Sequence, residues 1–444
     1  QPFGLASPAA WLRREGASVT CLDLSRQRLQ EEPIRSADLV AFYVPMHTAT
    51  RLAARAVERV KKLNPGAHLC FYGLYAPVNE NYLRSLGAQT ILGGEFEQGL
   101  ISVLRRLRAG GEEPTGNYQP EPLISLARQQ FLVPDRSDLL PLPHYARLHL
   151  GNGQHRIVGY TEASRGCKHF CRHCPVVPVY NGHFRIVQRE VVLEDVRRQV
   201  DAGAEHITFG DPDFFNGPGH TLPLAEALHR EFPDLTYDVT IKIEHLAQHP
   251  RHLPTLRDTS CLFVTSAVES VDDAVLARLN KGHTREDFIE VAQQFRTLGL
   301  VLAPTFVTFT PWTTLEGYLD LLALLARLDL IENVAPIQLA IRLLIPAGSK
   351  LLELPELLEI VGDFDEAALS YRWRHRDPRV DQLRLDVQEL VKQCEMQHEG
   401  RRQTFSRIWA LAHEAADVPL REIPESELAP PRAAIPYLNE PWYC

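Results

Sequence analysis

The sequence of 444 residues lacks the features that define several classes of protein. No apolar stretch reaches the roughly 18 residues of a transmembrane helix, and no basic-then-apolar leader opens the chain. No basic run occurs either, since 47 Lys and Arg stand against 56 Asp and Glu, a formal charge of −9. We therefore expect a cytoplasmic globular protein with neither a membrane nor a nucleic-acid partner, and a few residues before Gln1.

Cysteine is also scarce, and its distribution is uneven. Eight cysteines in a chain of this length are too few for a disulfide scaffold. Five of them are scattered, whereas Cys167, Cys171 and Cys174 lie within eight residues. This crowding indicates a metal or cluster site.

Alternating short apolar runs and amphipathic stretches predict an α/β fold. In a front domain, 1–112, we predict strands at 19–24, 39–44 and 68–72 and helices at 48–63 and 96–108, a Rossmann-like doubly wound parallel sheet. Glycines and prolines make 113–155 a predicted linker. In 156–348, predicted strands at 157–164, 206–209, 237–243, 261–267, 302–309 and 337–344 alternate with helices, as in a partial (β/α)6 barrel.

The remainder of the chain is predicted to be a helical region at 349–418, with helices at 351–361, 380–396 and 403–415. A proline-rich tail follows at 419–444 and ends in a cysteine.

The cysteine-rich segment follows the first predicted barrel strand and reads Ser-Arg-Gly-Cys-Lys-His-Phe-Cys-Arg-His-Cys-Pro over 164–175. Three thiolates at this spacing can hold three corners of one iron–sulfur cubane and leave one iron open. The carboxyl end of barrel strands is where such folds carry active sites. A structural zinc site, made by the three cysteines with His169 or His173, is the alternative.

The CxxxCxxC spacing after a first barrel strand resembles the radical S-adenosylmethionine (SAM) superfamily. The resemblance implies a [4Fe–4S] cluster on Cys167, Cys171 and Cys174 whose open iron chelates SAM. One electron would then cleave SAM to methionine and a 5′-deoxyadenosyl radical that abstracts a hydrogen atom. The resemblance also implies an external electron donor such as a flavodoxin or ferredoxin, and a small-molecule or peptide substrate.

The same resemblance implies SAM contacts at the ends of later barrel strands. Asp211 is the favoured carboxylate for the amino group of SAM and Asp213 its competitor, in Phe-Gly-Asp-Pro-Asp at 209–213, although both also fit a simple turn. His173 occupies the position, before the third cysteine, where the family often has an aromatic residue near adenine. The other expected contacts to SAM or substrate are Lys242, Ser266, Glu269 and Arg342.

Arg342 lies in an apolar run on the last predicted strand, where an unpaired charge is costly. Its partner is either a carboxylate of SAM or substrate, or a neighbouring Asp or Glu.

The front domain resembles the cobalamin-binding domain of cobalamin-dependent radical SAM enzymes. The matching pieces are Trp-Leu-Arg-Arg-Glu-Gly at 11–16, Ala-Asp-Leu-Val at 37–40 and Gly-Gly-Glu-Phe-Glu at 93–97. The Asp-x-His-x-x-Gly motif, which supplies a histidine to cobalt, is absent. The resemblance therefore implies either cobalamin without a histidine ligand or a domain that only covers the barrel mouth. His47, at a predicted strand end, is expected to cap or pack.

The last six residues are Asn-Glu-Pro-Trp-Tyr-Cys. They resemble the lead-in of a radical SAM group whose chains end in Cys-Cys-Ala-Glu-Pro or selenocysteine-Cys-Ala-Glu-Pro, although that final Cys-Ala-Glu-Pro is not in the sequence. The resemblance implies that Cys444 takes part in catalysis as a soft nucleophile or ligand; a cysteine without a role is the alternative.

Three functions follow from these patterns. The first is a radical SAM enzyme that acts on an unidentified substrate with help from the tail. The second is a cobalamin-dependent radical SAM methyltransferase, and the third is a zinc-binding protein without catalysis.

Overall fold

A computed structural model describes residues 1–110, 119–151, 153–426 and 436–438. A parallel sheet at the start of the chain is followed by a second, larger and mostly parallel sheet, and then by a helical region. This arrangement confirms the predicted α/β fold class. None of the helices in the described ranges is long and apolar enough to cross a membrane.

The front domain is built on four parallel strands in the order β1-β2-β3-β4. Every residue of β2 and β3 is buried, as expected for parallel strands covered on both faces. The strands are β1 (Leu39–Tyr43), β2 (His68–Tyr72), β3 (Thr90–Gly94) and β4 (Ile124–Ser125). The helices are α1 (Phe3–Arg14), α2 (Glu31–Arg35), α3 (His47–Leu63), α4 (Tyr75–Val78), α5 (Glu80–Ser85) and α6 (Glu97–Arg108).

The predicted strand at 19–24 is wrong. In the part of the chain that the structure describes, β1 is the edge strand of the front sheet, and residues 19–24 do not pair with it. Its backbone is satisfied by side chains instead: Asp138 accepts from the Cys21 N–H at 3.1 Å, and Arg13 donates to the Val19 carbonyl at 3.0 Å. Cys21 packs with α1 residues and Leu139, so the apolar pattern reflects burial without a sheet.

The second sheet is a half-barrel with the strand order β12-β11-β10-β9-β6-β5-β15. Strands β6 and β9 to β12 are parallel, and β5 is antiparallel to β6. Its strands before the helical region are β5 (Arg147–His149), β6 (His155–Thr161), β9 (His206–Phe209), β10 (Thr236–Thr240), β11 (Cys261–Glu269) and β12 (Val301–Phe306). A separate hairpin pairs β7 (Ser164–Gly166) with β8 (Phe184–Ile186).

Helices follow the parallel strands, as in βα units. They are α7 (Val176–Tyr180), α8 (Arg189–Asp201), α9 (Pro218–Glu231), α10 (Ile243–Gln248), α11 (Leu253–Asp258), α12 (Asp273–Leu279), α13 (Arg285–Leu298) and α14 (Leu315–Arg327). The sequence predicts helices at 273–279 and 285–298, which are the observed bounds of α12 and α13, and Thr284 begins α13 with a capping box.

The sixth predicted barrel strand, 337–344, is not formed. A 3-10 helix occupies Pro336–Ala340, because proline presets a helical φ at its first position. A single bridge between Phe309 and Arg342 is all that remains of strand pairing there. The sheet therefore has five parallel strands and one bridge where six strands were predicted.

The segment predicted as a linker, 113–155, contributes a strand to each sheet. Its first strand, β4, extends the front sheet beside β3, and its second, β5, extends the half-barrel beside β6. The linker thus connects the two sheets in sequence and also adds one strand to each of them.

The C-terminal region packs two long helices against the barrel. They are α16 (Pro378–Met396) and α17 (Arg401–Ala415), close to the predicted bounds. The predicted helix at 351–361 is wrong, because Pro355 interrupts it. That stretch forms a 3-10 turn (Lys350–Glu353), α15 (Pro355–Leu358) and the start of a hairpin, β13 (Val361–Asp365) with β14 (Ser370–Trp373). The last described strand, β15 (Tyr437–Leu438), pairs antiparallel with β5.

A buried arginine, Arg165 in β7, joins the half-barrel to the front domain. Its guanidinium donates to Glu97 at 2.7 and 3.0 Å and to Glu162 at 2.9 Å, and it lies 3.5 Å from Glu95. Tyr180, in α7, donates to the other oxygen of Glu95 at 3.1 Å. Arg165 also lies over the rings of Phe3, Phe96 and Phe131, at 4.8 to 5.1 Å.

This cluster has one cation for three carboxylates. Burial would raise the pKa of Glu97, but Arg165 outweighs it and holds that pKa below its usual value. Burial raises the pKa of Glu95 to about 7 and also raises the pKa of Glu162. Glu97 is therefore the principal counter-charge of Arg165.

We predict that Glu97→Gln destabilises the protein strongly. The substitution keeps the shape of the side chain but leaves the buried Arg165 without its main counter-charge, which costs roughly 3–5 kcal/mol of unfolding free energy. Denaturant titration of both proteins measures this loss. The matched control is Glu190→Gln, whose side chain is 75% exposed and which should change stability by less than about 0.5 kcal/mol. Equal stabilities for the two variants would contradict the role assigned to Glu97.

Candidate active site

The three clustered cysteines lie on the loop that joins β7 to α7. Gly166 precedes Cys167 with a φ of 77°, and a Cβ there would fall 2.3 Å from the Tyr180 ring. Only glycine fits this turn, which brings the chain sharply from the strand into the loop. Cys174 and Pro175 end the loop where α7 begins.

Neighbouring elements hold the loop on several sides. Arg172 uses its backbone N–H and its guanidinium to satisfy carbonyls at the end of α12, at 2.8 to 3.1 Å. Asn216 accepts from the Lys168 N–H and donates to the Gly166 carbonyl, both at 3.2 Å. Asn280 donates to the Phe170 carbonyl at 2.9 Å. The loop is therefore fixed in place by the ends of the neighbouring βα units.

The three thiols are close together and none forms a disulfide. Burial raises the pKa of Cys167 to about 11 and that of Cys174 to about 12, and the neighbouring thiols add to both shifts. Without a positive centre these groups stay protonated. A cluster of iron ions would supply that centre and would replace the protons.

A buried ion pair lies on one side of the loop. Lys281 Nζ lies 3.4 Å from Glu269 Oε1, and His173 Nε2 lies 3.0 Å from the same oxygen. Burial would raise the pKa of Glu269, but Lys281 and His173 lower it to about 2. Glu269 is the last residue of β11 and lies beside a register shift in the pairing with β12. Its φ of 70° is a strained backbone conformation for a residue other than glycine.

A second set of polar groups lies on the other side of the loop, at the ends of β9 and β10. Asp213 Oδ2 lies 2.7 Å from His245 Nδ1 and 3.5 Å from His169 Nε2. Glu244 lies 3.3 Å from His169 Nδ1 and accepts from Lys242 at 2.6 Å. Asp213 and Lys242 are near enough to influence the pKa of the Cys167 thiol, so this set borders the cysteine loop.

The two aspartates after β9 have different environments. Both oxygens of Asp211 accept hydrogen bonds, from the Ala163 N–H at 2.8 Å and the Ser164 hydroxyl at 2.6 Å. Burial nevertheless raises its pKa to about 7. Burial would also raise the pKa of Asp213, but His169 and His245 lower it. Asp211 thus lacks a cationic partner, whereas Asp213 has two imidazoles.

Several buried polar atoms near the loop have no hydrogen-bond partner. They are Ser266 Oγ, in β11, His173 Nδ1 and both ring nitrogens of His283. Burial lowers the pKa of His283 to about 4, so its ring is neutral. These unpartnered atoms are available to a polar ligand, and together with the charged groups beside the loop they fit a bound SAM.

Not every expected residue joins this group. Arg342 donates to Asp381 at 2.9 Å and to the Trp373 carbonyl, and its guanidinium lies over the Trp373 ring. Of the two partners expected for Arg342, the structure thus shows the neighbouring acid, Asp381. His47 contacts the Ala368 carbonyl, in the turn between β13 and β14. Cys444 lies outside the described residues.

Sequence reasoning missed Lys281, His283 and the pairing of His169 with His245. Lys281 and His283 lie in the turn between two correctly predicted helices, α12 and α13, where a buried lysine was not expected. The sequence does contain an indication of both residues, because Lys-Gly-His at 281–283 comes shortly after the helix that follows the fourth predicted strand. A cavity of about 300 Å³ also opens beside Glu269, between the ends of β11 and β12.

Comparison with known proteins identifies the half-barrel. Residues 161–323 match the model of the Radical SAM superfamily. A tRNA-2-methylthio-N(6)-dimethylallyladenosine synthase of Desulfosudis oleivorans is 29% identical over 192 residues, which cover 40% of this chain and 38% of the relative. The enzyme of the same name from Agrobacterium fabrum is 24% identical over 54% of this chain and 51% of its own. The chain thus spans about two fifths to one half of the length of these relatives.

Solved structures extend the likeness to the front domain. OxsB, a cobalamin-dependent SAM radical enzyme with aqua-cobalamin and SAM bound, matches 94% of this chain and 72% of its own with a TM-score of 0.71 and 14% identity. The radical SAM methyltransferase TsrM from Kitasatospora setae matches 74% of this chain and 68% of its own, with a TM-score of 0.59 and 17% identity. At these identities the likeness establishes the fold alone.

The chain therefore carries a radical SAM domain, an enzyme domain that uses a [4Fe–4S] cluster and SAM. This confirms the predicted superfamily and removes the zinc-binding protein without catalysis. The resemblance of the tail to the Cys-Ala-Glu-Pro group stays a prediction.

We predict that Cys167, Cys171 and Cys174 hold all the cluster iron. Replacing the three with Ala removes the thiolate ligands, so anaerobic reconstitution with iron and sulfide should give almost no bound iron and no brown absorbance. The matched control replaces Cys21, Cys70 and Cys261, which are buried elsewhere, and should keep about four irons per chain. Retention of four irons by the first variant would contradict the assignment.

Proposed function

We propose that this chain is a radical SAM enzyme that cleaves SAM reductively to start radical chemistry on a small-molecule or peptide substrate. The observation that carries the proposal is the convergence of three free thiols on one loop, with the Glu269–Lys281 pair on one side and Asp211 and Lys242 on the other. When bound, the [4Fe–4S] cluster supplies the single electron that breaks a carbon–sulfur bond of SAM. An external donor such as a flavodoxin or ferredoxin would supply that electron.

The charges of the site match the groups of SAM. Asp211 is the carboxylate proposed for the amino group, because a nearby ammonium would compensate the burial that raises its pKa to about 7. Lys281, beside the loop, would hold the SAM carboxylate. Ser266 and Glu269, at the end of β11, would meet the ribose hydroxyls, and His173 would lie near adenine. Lys242 would face SAM or the substrate.

The second candidate is a cobalamin-dependent methyltransferase, favoured by the match to OxsB, which covers 94% of this chain. The residues at the strand ends of the front domain do not favour this candidate. A Cβ on Gly93 would fall 2.5 Å from Pro77, and one on Gly94 would fall 2.2 Å from the Ser125 carbonyl. The space beside these glycines is filled by the chain itself, so the proposal includes no step through cobalamin.

We predict reductive cleavage of SAM that depends on Lys281. With dithionite and SAM, the reconstituted enzyme should accumulate 5′-deoxyadenosine. Lys281→Met removes a buried charge-assisted contact worth about 1.5–3 kcal/mol, so the Kd for SAM should rise at least about tenfold while the iron content is unchanged. Lys350→Met is the matched control, because its side chain is 42% exposed and pairs with Glu353 on the surface, and it should behave as the wild type. Recovery of intact SAM with several reductants would refute the proposed function.

We also propose that the tail delivers Cys444 to the mouth of the barrel. β15 is antiparallel to β5, which is antiparallel to β6, so Tyr437 and Leu438 run toward the end of the barrel that carries the cysteine loop. The six residues after Leu438 can span at most about 20 Å, comparable to the length of β6. We predict that Cys444→Ser keeps SAM cleavage but changes the product, as resolved by mass spectrometry. Unchanged product would make Cys444 a bystander.

A further inference from the structure

Two histidines and an aspartate meet beside the cysteine loop without a role in SAM binding. His169 comes from the loop, Asp213 follows β9, and His245 lies in α10 after β10. Their closest ring and carboxylate atoms lie 2.7 Å (Asp213–His245), 3.1 Å (His169–His245) and 3.5 Å (Asp213–His169) apart. The 2.7 Å distance involves Nδ1 of His245 and the 3.1 Å distance its Nε2. With one donor atom taken from each residue, the three atoms all lie within 4.8 Å of one another, close to the roughly 3.0–3.5 Å that separates ligands about 2.1 Å from one metal ion.

The polar atoms of this triad are only partly satisfied by one another, since His169 Nε2 and His245 Nε2 form a hydrogen bond of 3.1 Å. Asp213 Oδ2 and His245 Nδ1 are both buried without a hydrogen-bond partner, although they lie 2.7 Å apart. Their orientation is not that of a donor and an acceptor. Asp213 and His245 are each only 1% exposed, so water does not compensate. A carboxylate oxygen and an imidazole nitrogen that approach in this way, away from solvent, are arranged as they would be around a shared cation.

A second layer of contacts has the form that metal-binding histidines require. The outward nitrogen of His169, Nδ1, lies 3.3 Å from a carboxylate oxygen of Glu244, which Lys242 holds at 2.6 Å. Such a carboxylate fixes the tautomer and the orientation of a ligating imidazole. Gly282 admits this carboxylate, because a Cβ there would fall 2.3 Å from Glu244 Oε2.

We propose that His169, Asp213 and His245 bind one divalent cation of the Fe²⁺ or Zn²⁺ type, distinct from the iron–sulfur cluster. Two imidazoles and one carboxylate select borderline transition metals over Mg²⁺ and Ca²⁺, which prefer oxygen ligands. Three protein ligands leave at least one position open to water or to a donor atom of the substrate. The site would thus lie beside the cluster loop, with the rings of His249 and His252, which follow α10, beyond it, and it uses no cysteine.

The test uses full-length protein in which Cys167, Cys171 and Cys174 are Ala, so that no cluster forms. Metal-free protein is titrated with Zn²⁺ in competition with a chelator, and separately with Co²⁺. We expect one Zn²⁺ per chain and visible cobalt d–d bands without the near-ultraviolet thiolate-to-cobalt band. In this background Asp213→Ala and His169→Asn should each weaken Zn²⁺ binding at least about 100-fold, and Glu244→Gln about 10- to 100-fold.

The matched control removes His249 and His252, which extend the row of rings beyond His245 at 5.9 and 5.8 Å but lie outside the triad. Their double Ala variant should bind Zn²⁺ as the parent does. Thermal unfolding followed by circular dichroism identifies variants that remain folded, and His169→Asn, at the least buried position of the triad, is the variant of choice if the others unfold. Stoichiometric binding that survives the folded His169 variant, or no stoichiometric binding by the folded parent, would overturn the inference.

These outcomes are separable from those of the proposed function. SAM cleavage by the cysteine-containing enzyme together with no Zn²⁺ site in the cysteine-free protein would reject the metal site alone. One bound Zn²⁺ together with no SAM cleavage would reject the radical reaction alone.

Discussion

The burial of Arg165 between three carboxylates is the constraint on which the rest of the site depends. An isolated guanidinium would not enter this interior, which also contains three aromatic rings. Two of its partners, Glu95 and Glu97, belong to the front domain, and the residue itself precedes Cys167 by two positions. Tyr180, beyond the last cysteine, binds the same Glu95. Both ends of the cysteine loop are therefore bonded to the front domain. The front domain thus helps to position the loop, independently of any cofactor of its own.

The loop in turn separates two groups of charges. Glu269 and Lys281 form a compensated pair on the side of β11, and Lys242 and Glu244 form another on the side of β10. Between them lies His283, whose neutral ring has both nitrogens unpartnered and whose pKa is lowered by burial and by the two lysines. Charges placed in pairs lower the cost of burying them before any ligand arrives. The unpaired nitrogens of His283 add neutral positions for a polar ligand beside these charges.

Sequence patterns predicted the parallel strands and the cysteine loop because those features are local: continuous apolar runs define buried strands, and CxxxCxxC has one dense spacing. The same patterns gave wrong strands where tertiary contacts, and not the local sequence, determine the backbone conformation. The run at 337–344 is apolar because α16 and α17 cover it, and the run at 19–24 packs on α1 without a neighbouring strand in the described residues. Lys281 was missed since a lysine in a turn is ordinarily exposed, and its burial depends on Glu269, twelve residues earlier. Arg342 was recognised as needing a partner, but pattern alone could not choose between a ligand and Asp381.

The two aspartates after β9 show how environment assigns different roles to similar residues. Asp211 is held by neutral donors, the Ala163 amide and the Ser164 hydroxyl, and burial leaves its pKa near 7, so a positive group beside it would be stabilising. Asp213 is already compensated by imidazoles, and its pKa is lowered. A cationic amino group gains more from the first carboxylate, because there it supplies the missing charge. The proposed metal ion would gain more from the second, because two imidazole nitrogens lie within 3.5 Å of the same oxygen.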